Sequence, residues 1–339
     1  MSLEDYLHLF ELGGEGARLE GDALRFGDAV IRITNGIPRF TPDISYSTGN
    51  FSLLRERHAH LQLDSLNGTT DRRDTLLDRT GWPADFFRGK LVLECGSGAG
   101  PDTEVMRQLG ADVVSADIAG SDICMRNVGH LGRGCIIQAD ITALPLRPRS
   151  FDVVFCHRVL QHTPDPPKTL EHILGFVKPG GHAFVHSYAR TAFQMLRWKY
   201  ALRPITRRMS PEKLYRMIES AAPSLFWLTN KMFRIKGGGR LAHHFVPFLN
   251  YSGAKRFAGM SQASMLEYAI HDTFDALSPR YDSPVSAALM RRTAARHLSG
   301  PFEIVEHPTI TLLRSRLSAD GSPADERRIA TDFRRKDLC

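Results

Sequence analysis

The chain has 339 residues, of which 42% are hydrophobic and 24% are charged, with 28 glycines and 19 prolines. This composition is typical of a globular protein with one large core or two smaller ones, and it excludes a collagen-like, coiled-coil or largely disordered chain. The formal charge of +7 is unevenly placed, because residues 190–240 alone total +10 and the remainder totals −3. The positive charge therefore belongs to one segment and does not indicate nucleic-acid binding by the whole chain.

The cysteines and the N-terminus indicate the compartment. There are five cysteines, an odd number without CxxC spacing, so we expect neither a disulfide framework nor a structural zinc. The first residues, MSLEDYLHLFELGGEG, lack the basic and apolar regions of a signal peptide. No stretch approaches the ~18 apolar residues of a membrane span. These features predict a soluble, cytoplasmic protein.

In chain order, apolar and polar residues alternate over residues 23–33 on both sides of a Gly-Asp turn, which predicts a hairpin. Residues 51–80 are compatible with helix. From Gly89 onward, short apolar runs alternate with helical segments, which implies a parallel sheet covered on both faces. The predicted strands are 90–95, 112–117, 134–138, 151–156 and 182–188, and the predicted helices follow Gly100, cover 121–131 and run from Asp165 to Lys178.

This alternation stops after Tyr188 and resumes at Ser283, where a helix is predicted to run to Leu298 before strand-like runs at 302–306 and 309–313. The intervening residues look like an insertion into the α/β domain. The predicted organisation is a hairpin and helical leader at 1–80, an α/β domain at 81–188 and 283–317, a helical basic insertion at 189–282 that acts as an acceptor lid, and a disordered charged tail at 318–339.

Three glycines mark the point where the first strand of this domain turns into a helix. Gly96, Gly98 and Gly100 allow the backbone to approach a ligand, and Asp117, at the end of the next strand, can accept both hydroxyls of a ribose. The third glycine comes one residue earlier than in the dinucleotide pattern G-x-G-x-x-G. Glu94 precedes the loop, and a carboxylate there suits a cationic ligand better than a pyrophosphate. The spacing therefore favours S-adenosylmethionine over NAD.

These motifs resemble those of the class I S-adenosylmethionine-dependent methyltransferases, in particular the group with the methyltransferase type 11 domain. The resemblance implies a Rossmann-like, seven-stranded doubly wound sheet with an N-terminal extension and a largely helical insertion before the last helix and β-hairpin. Glu94 stands where Asp is commoner in the family. The segments that carry the resemblance are LVLECGSGAG at 91–100, Asp117, QADI at 138–141, LPL at 144–146, SFDVV at 150–154, VLQH at 159–162 and VKPGG at 177–181.

The resemblance also implies roles for individual residues. The glycines would shape the methionine pocket, with Glu94 near the ammonium group. Asp140 would accept a hydrogen bond from the adenine amino group, or else serve as a turn or helix-capping residue. No metal is implied. The expected S-adenosylmethionine-binding residues are Glu94, Gly96, Gly98, Gly100, Asp117 (ribose), Ile118 (adenine), Asp140, Ile141 and His157.

Methyl transfer is an in-line displacement, and a hydroxyl acceptor needs a general base within hydrogen-bond reach. His157 and His162, at the mouth of the expected pocket, are the candidate catalytic residues, although most of the 14 histidines are expected to be structural. The candidate substrate-binding residues are His271, Asp272, Asp275, Tyr281 and Arg197.

The basic insertion contains a helix predicted to start at Ser210 and to be interrupted by Pro223. We favour a helix that packs on the domain with a solvated basic face. A membrane-surface helix, or arginines that bind phosphate or carboxylate on the acceptor, are alternatives. The expected packed stripe is Leu214, Met217, Ile218, Ala221, Leu225, Leu228 and Met232; the candidate anion-binding arginines are Arg197, Arg203, Arg207 and Arg208.

The leading hypothesis is O-methylation of a small molecule, glycan or natural-product intermediate, and an anionic acceptor would suit the basic insertion. The alternatives are an RNA or protein methyltransferase that docks through the insertion, a non-catalytic S-adenosylmethionine-binding protein and, more remotely, an NAD oxidoreductase. Asp165-Pro166-Pro167 lies too far beyond the fourth strand to resemble the tetrad of amino-methylating nucleic-acid enzymes, so nucleic acid is not an expected partner. Peripheral membrane contact is left open.

Overall fold

The computed structural model describes residues 2–41, 48–191, 195–252 and 260–317. The chain divides into two compact units, which we call the sheet unit (Met1–Arg190 with Tyr281–Leu317) and the helical unit (Thr191–Arg280). The charged tail expected at 318–339 lies outside the described residues.

Short strands form the leader, and longer ones form the main sheet. Leader strands β3 to β6 pair in that order, and the turn at Gly27-Asp28 between β4 and β5 confirms the predicted hairpin. The strands are β1 Glu11–Leu12, β2 Glu15–Gly16, β3 Arg18–Glu20, β4 Ala23–Phe26, β5 Ala29–Thr34, β6 Ile37–Pro38, β7 Leu91–Cys95, β8 Asp112–Asp117, β9 Gly134–Gln138, β10 Phe151–His157, β11 Val177–Tyr188, β12 Phe302–Glu306 and β13 Ile310–Ser315.

Helices flank the sheet and make up the helical unit. The α-helices are α1 Thr48–Arg57, α2 Asp64–Asn67, α3 Asp71–Thr80, α4 Pro101–Gln108, α5 Ser121–Val128, α6 Pro166–Leu174, α7 Trp198–Thr206, α8 Pro211–Phe233, α9 Gly238–Phe245, α10 Gln262–Leu277 and α11 Ala287–His297. Short 3-10 helices cover Leu3–Leu9, Ala84–Phe87, Gly129–Leu131 and Leu160–His162. None of the described helices combines the length and the apolar character needed to cross a membrane.

The main sheet has seven strands in the order β12-β13-β11-β10-β7-β8-β9, with β7 to β11 parallel and the last two strands antiparallel. This topology confirms the predicted Rossmann-like fold. Leu93, Val114, Ile137, Val154 and Val185, one from each parallel strand, are fully buried in a single core cluster. Strand order reverses between β7 and β10, and ligands of such sheets bind beyond the carboxyl ends of the strands at that point.

Two predicted boundaries of the sheet unit are wrong. Helix α6 ends at Leu174 and not at Lys178, and β11 begins at Val177 and not at residue 182. The pairing of β11 with β10 has an irregular register, which accommodates residues 178–181 within the strand. The last helix begins at Ala287, capped by the Ser286 side chain, because Ser283 donates to the carbonyl of Gln161 and the chain stays extended there.

Helix α8 runs through Pro223, so the predicted interruption is also wrong. This proline lies on the exposed side of the helix, where water can satisfy the carbonyl that it leaves without a donor. Part of the predicted packed stripe is wrong as well, since Met217 is 54% exposed, Leu228 is 41% exposed and Ala221 is exposed too. The buried side of the helix consists of Leu214, Tyr215, Ile218, Ala222, Phe226 and Thr229.

Candidate active site

The glycine loop connects β7 to α4 at the point where strand order reverses. Gly96, Gly98 and Gly100 all have positive φ angles, of 86°, 61° and 94°. A Cβ atom at Gly96 would overlap the side chain of Val159, so both the backbone angle and the close approach require glycine there. The N–H of Gly96 donates to the carbonyl of Ala116 at 2.7 Å, which folds the loop over the end of β8.

Asp117 ends β8 and ties this loop together. Its Oδ2 accepts from the N–H of Gly98 at 2.8 Å, while Oδ1 accepts from the N–H groups of Ala119 and Gly120 at 2.9 and 2.6 Å. Arg55 of α1 donates to the same Oδ1 at 3.0 Å. Burial alone would raise the pKa of Asp117, but the Arg55 guanidinium and these backbone donors lower it overall. A carboxylate predicted from spacing therefore lies in a cradle of donors.

Glu94, on β7, is a buried carboxyl without a cationic partner among the hydrogen bonds that the structure gives it. Its Oε2 accepts from the hydroxyl groups of Thr103 and, at 3.1 Å, Ser115. Burial and the nearby charge of Asp102 raise its pKa to about 8, although the two hydroxyl donors lower it. A cation placed beside this carboxyl would favour its ionised form, as expected for an ammonium partner.

His157, at the end of β10, belongs to a buried polar cluster. Its Nδ1 lies 2.9 Å from Oδ2 of Asp102, and its Nε2 lies 2.8 Å from a guanidinium nitrogen of Arg79. Because an arginine only donates, Nε2 accepts from Arg79. Nδ1 lies closer to Asp102 than to Arg72, whose guanidinium is 3.2 Å from it, so we assign the proton of Nδ1 to the bond with Asp102, which also pairs with Arg72. Burial lowers the pKa of His157 to about 3 in spite of Asp102. Both ring nitrogens have protein partners, and a catalytic role for this histidine stays a prediction.

His162, in the turn after β10, has a different environment. Its Nδ1 lies 3.1 Å from the backbone carbonyl of Tyr281, and because a carbonyl only accepts, Nδ1 carries the proton. Its ring contacts those of Phe51 and Tyr188, with centroids 5.6 and 5.9 Å away. Nε2 has no hydrogen-bond partner within the described part of the chain. This is the tautomer that a general base requires.

The expected adenine side is less defined. Oδ1 of Asp140 accepts from the N–H of Thr142 at 2.9 Å, which is the turn geometry given above as the alternative for this residue. Ile141 is buried and Ile118 is partly exposed at the end of β8. The adenine contacts of these residues stay predictions.

The candidate substrate residues are divided between the two units. Tyr281 belongs to the sheet unit, where its carbonyl holds His162. The others lie in the helical unit, in which Asp272 accepts from the Tyr251 hydroxyl and lies 2.8 Å from Nδ1 of His271. Arg197 and Asp275, also in this unit, are partly exposed. The substrate roles of all five stay predictions.

Sequence reasoning missed several polar residues of the sheet unit that are buried or partly buried near the site. Arg72 and Arg79 are seven residues apart on α3, so they share one face, and this spacing is a signal that could have been noticed. Asp102 occupies the first turn of α4, directly after the glycine loop. Arg55 has no comparable signal in its own segment. His186, on β11, lies with its ring 5.1 Å from that of His157, and neither of its nitrogens has a partner among the described residues.

One candidate anion-binding arginine already has an internal role. Arg203 is buried in the helical unit and donates to the carbonyls of Ala276 and Pro279 at 3.2 and 2.8 Å. It therefore stabilises the end of α10 and is not presented to solvent. Arg207 and Arg208 are exposed.

Residues 93–185 match the family model described as a methyltransferase domain. The matched segment includes the glycine loop, Asp117 and the strands on both sides of the point where strand order reverses. This segment is a methyltransferase domain.

Curated relatives of the methyltransferase domain include two named ubiquinone biosynthesis O-methyltransferase. The Paraburkholderia phymatum protein is 37% identical over 106 residues, which cover 30% of this chain and 46% of that protein. The Bordetella pertussis protein is 31% identical over 142 residues, covering 38% and 58%. This chain thus spans about half the length of the relatives it matches. A solved S-adenosylmethionine-dependent methyltransferase from Mesorhizobium loti is 20% identical, with a TM-score of 0.31, over 36% of this chain and 56% of that one.

Proposed function

We propose that this protein is an S-adenosylmethionine-dependent methyltransferase that methylates a hydroxyl oxygen of a small molecule, glycan or natural-product intermediate. The observation that carries the proposal is Asp117, a strand-end carboxylate cradled by the glycine loop. The domain match and the names of the curated relatives, which are O-methyltransferases, support the same reaction class.

The residues present fit S-adenosylmethionine. Side chains at the glycine positions would crowd the neighbouring side chains that pack on the loop, so the loop keeps this shape only with glycine. Asp117 suits the ribose hydroxyls, and Glu94 is a buried carboxyl that a cationic amino group would ionise. A ribose hydroxyl would share Oδ1 of Asp117 with Arg55 or displace it. Bound S-adenosylmethionine supplies an electrophilic methyl group on a sulfonium.

The protein's own contribution is to orient the acceptor and to remove its proton. Nε2 of His162 accepts the proton of the acceptor hydroxyl, while the carbonyl of Tyr281 keeps the other ring nitrogen protonated. Holding the hydroxyl oxygen in line with the transferred methyl group supplies most of the remaining acceleration. We also propose a reducing, cytoplasmic compartment, which the free thiols of the four described cysteines support.

Calorimetry with S-adenosylmethionine tests the cofactor assignment. We expect saturable binding by the full chain and loss of binding in Asp117→Ala. The matched control is Asp28→Ala, which removes an exposed carboxylate from the leader hairpin and should leave binding unchanged. Unchanged binding in Asp117→Ala would refute the site.

Transfer of a labelled methyl group to a panel of hydroxylated and amine acceptors, read by product mass spectrometry, tests the reaction. We expect methyl ethers and no label on RNA or protein. Label on RNA or protein would favour an RNA or protein methyltransferase. Cofactor binding without methyl transfer to any acceptor would favour a non-catalytic role.

A further inference from the structure

Helix α8 has a continuous exposed face, which we call the outer face. Its positions recur at three- and four-residue spacing and therefore lie on one side of the helix. They lie away from the side chains that bury α8 in the helical unit, such as Leu214 and Ile218, so the folding of this unit does not use them. The outer face consists of Lys213, Arg216, Met217, Ser220, Ala221, Ser224, Trp227, Leu228 and Lys231, all exposed.

Large apolar side chains are concentrated on this part of the molecule. On the outer face, Trp227 is 59% exposed and Met217 is 54% exposed, and beyond it Phe245 of α9 is 69% exposed. Of the twelve large hydrophobic side chains that are exposed among the described residues, nine lie between residues 195 and 245. Single exposed apolar residues are ordinary, but such a concentration indicates a surface that binds a partner.

The same face is positively charged. It carries Lys213, Arg216 and Lys231, whereas the exposed Glu212 and Glu219 lie at its edge, three or four residues from Arg216. The Lys231 ammonium lies 4.0 Å from the ring centroid of Trp227, so a cation and a large apolar ring stand side by side.

We propose that the outer face of α8 docks the protein on the surface of an anionic phospholipid bilayer. The helix lies in the plane of the headgroups, with Trp227, Met217 and Leu228 entering the boundary of the acyl chains. The lysines and arginine of the face lie against lipid phosphates. Docking needs no cofactor and does not rest on the proposed methyl transfer.

The mixture of side chains selects a bilayer over other partners. An RNA or an acidic peptide would neutralise the cations but would leave Met217 and Leu228 in water. A purely apolar partner would bury the lysines without counter-charges, which is costly. A bilayer interface supplies phosphates and acyl chains at the same depth, as basic amphipathic helices require.

Tryptophan fluorescence provides a direct test. The chain has three tryptophans, of which Trp82 and Trp198 are 3% and 8% exposed, so Trp227 dominates any response to a change of solvent. The full chain is titrated with vesicles of phosphatidylcholine alone or mixed with phosphatidylglycerol. We expect a blue shift only with phosphatidylglycerol, weakened by added salt, and no shift in Trp227→Phe, which still sediments with the vesicles.

Two double variants with equal changes of net charge locate the surface. Lys213→Glu with Lys231→Glu should weaken vesicle binding about tenfold or more. Arg18→Glu with Lys168→Glu, both exposed in the sheet unit, should change it less than about twofold. Circular dichroism checks that both variants fold.

The result that overturns the proposal differs for each comparison. Equal losses of vesicle binding in the two double variants would show that the net charge of the protein, and not the outer face, causes the binding. Binding without a blue shift would place Trp227 away from the bilayer, and equal binding to phosphatidylcholine alone would remove the role of the cations. Tighter binding to single-stranded RNA than to vesicles, lost in the same variant, would assign the face to nucleic acid.

Discussion

The candidate site of the sheet unit and the outer face of the helical unit differ in how their charged groups are placed. In the sheet unit, Glu94, Asp102 and Asp117 are 2%, 4% and 4% exposed, and each accepts hydrogen bonds from nearby donors. In the helical unit, Lys213 and Lys231 are exposed beside exposed apolar side chains. Buried charge is tolerated only where partners are fixed, whereas exposed charge needs none. The charged groups of the candidate site are therefore fixed by partners within the fold, whereas those of the outer face remain accessible from solvent.

The largest expected effect on stability comes from the buried cluster. Asp102→Ala leaves Arg72 and His157 without their partner and should destabilise the protein by about 3–5 kcal/mol, because an unpaired charge remains buried. Lys213→Ala, the matched change on the outer face, should cost less than about 0.5 kcal/mol. Urea denaturation measures both. Similar costs would remove the contrast between the two units.

A comparable effect, on activity alone, is expected at His162. Substitution by Gln removes the basic Nε2, so we expect kcat to fall by about 10²–10⁴-fold. Affinity for S-adenosylmethionine, measured by calorimetry, should stay unchanged because the glycine loop is untouched. His157→Gln, which breaks the buried cluster, should instead lower the free energy of unfolding. Full activity in His162→Gln would contradict its role as base.

Two adjacent residues of α8 allow the buried side and the outer face to be compared within one helix. Phe226 is 8% exposed and Trp227 is 59% exposed. Phe226→Ala should lower the free energy of unfolding by about 3 kcal/mol, whereas Trp227→Ala should change it by less than about 0.5 kcal/mol. Thermal or chemical denaturation of the full chain distinguishes them. A large cost at Trp227 would mean that the outer face is covered in the folded protein.

The last effect is gradual, because it appears only as a slope of stability against pH. The pKa of Glu94 is raised from an ordinary value of 4.5 to about 8, chiefly by burial, so the folded protein holds a proton that the unfolded chain releases. Its contribution to stability is therefore fully present below about pH 4.5 and is lost as pH rises towards 8, by about 1.4 kcal/mol per unit at most. In Glu94→Gln this decline should disappear. Denaturation curves on either side of neutral pH measure the slope, and an unaltered slope would rule out Glu94 as its source.

The fold and the positions of the glycine loop and Asp117 could be predicted because their signals are local. Strand and helix alternation, the glycine spacing and the distance to Asp117 are all contained in the segment that folds into β7, α4 and β8. Arg55 reaches Asp117 from 62 residues away, and the sequence does not indicate which leader arginine faces the loop. Contacts of this kind depend on how elements pack and not on any periodic pattern.

The faces of α8 could not be assigned for a different reason. Apolar residues occupy both the buried and the exposed side of this helix. A single 3.6-residue period therefore placed the exposed Met217 and Leu228 in the same predicted stripe as the buried Leu214 and Ile218. Periodicity identifies an apolar stripe but does not identify what covers it. The structure separates the two sets by their exposure.

The bond between Arg55 and Asp117 also links a leader helix to the carboxylate that we propose as the ribose-binding group. A ligand hydroxyl that binds Oδ1 of Asp117 would compete with Arg55 of α1 for this oxygen atom. Binding of the ligand and docking of α1 on the sheet unit would therefore be coupled, and the coupling would be reciprocal. A change that stabilises the docked α1 would lower the affinity for the ligand, and bound ligand would destabilise the docked α1 by the same factor. Occupancy of the pocket would then be readable at a distance, as faster amide exchange in residues 48–57.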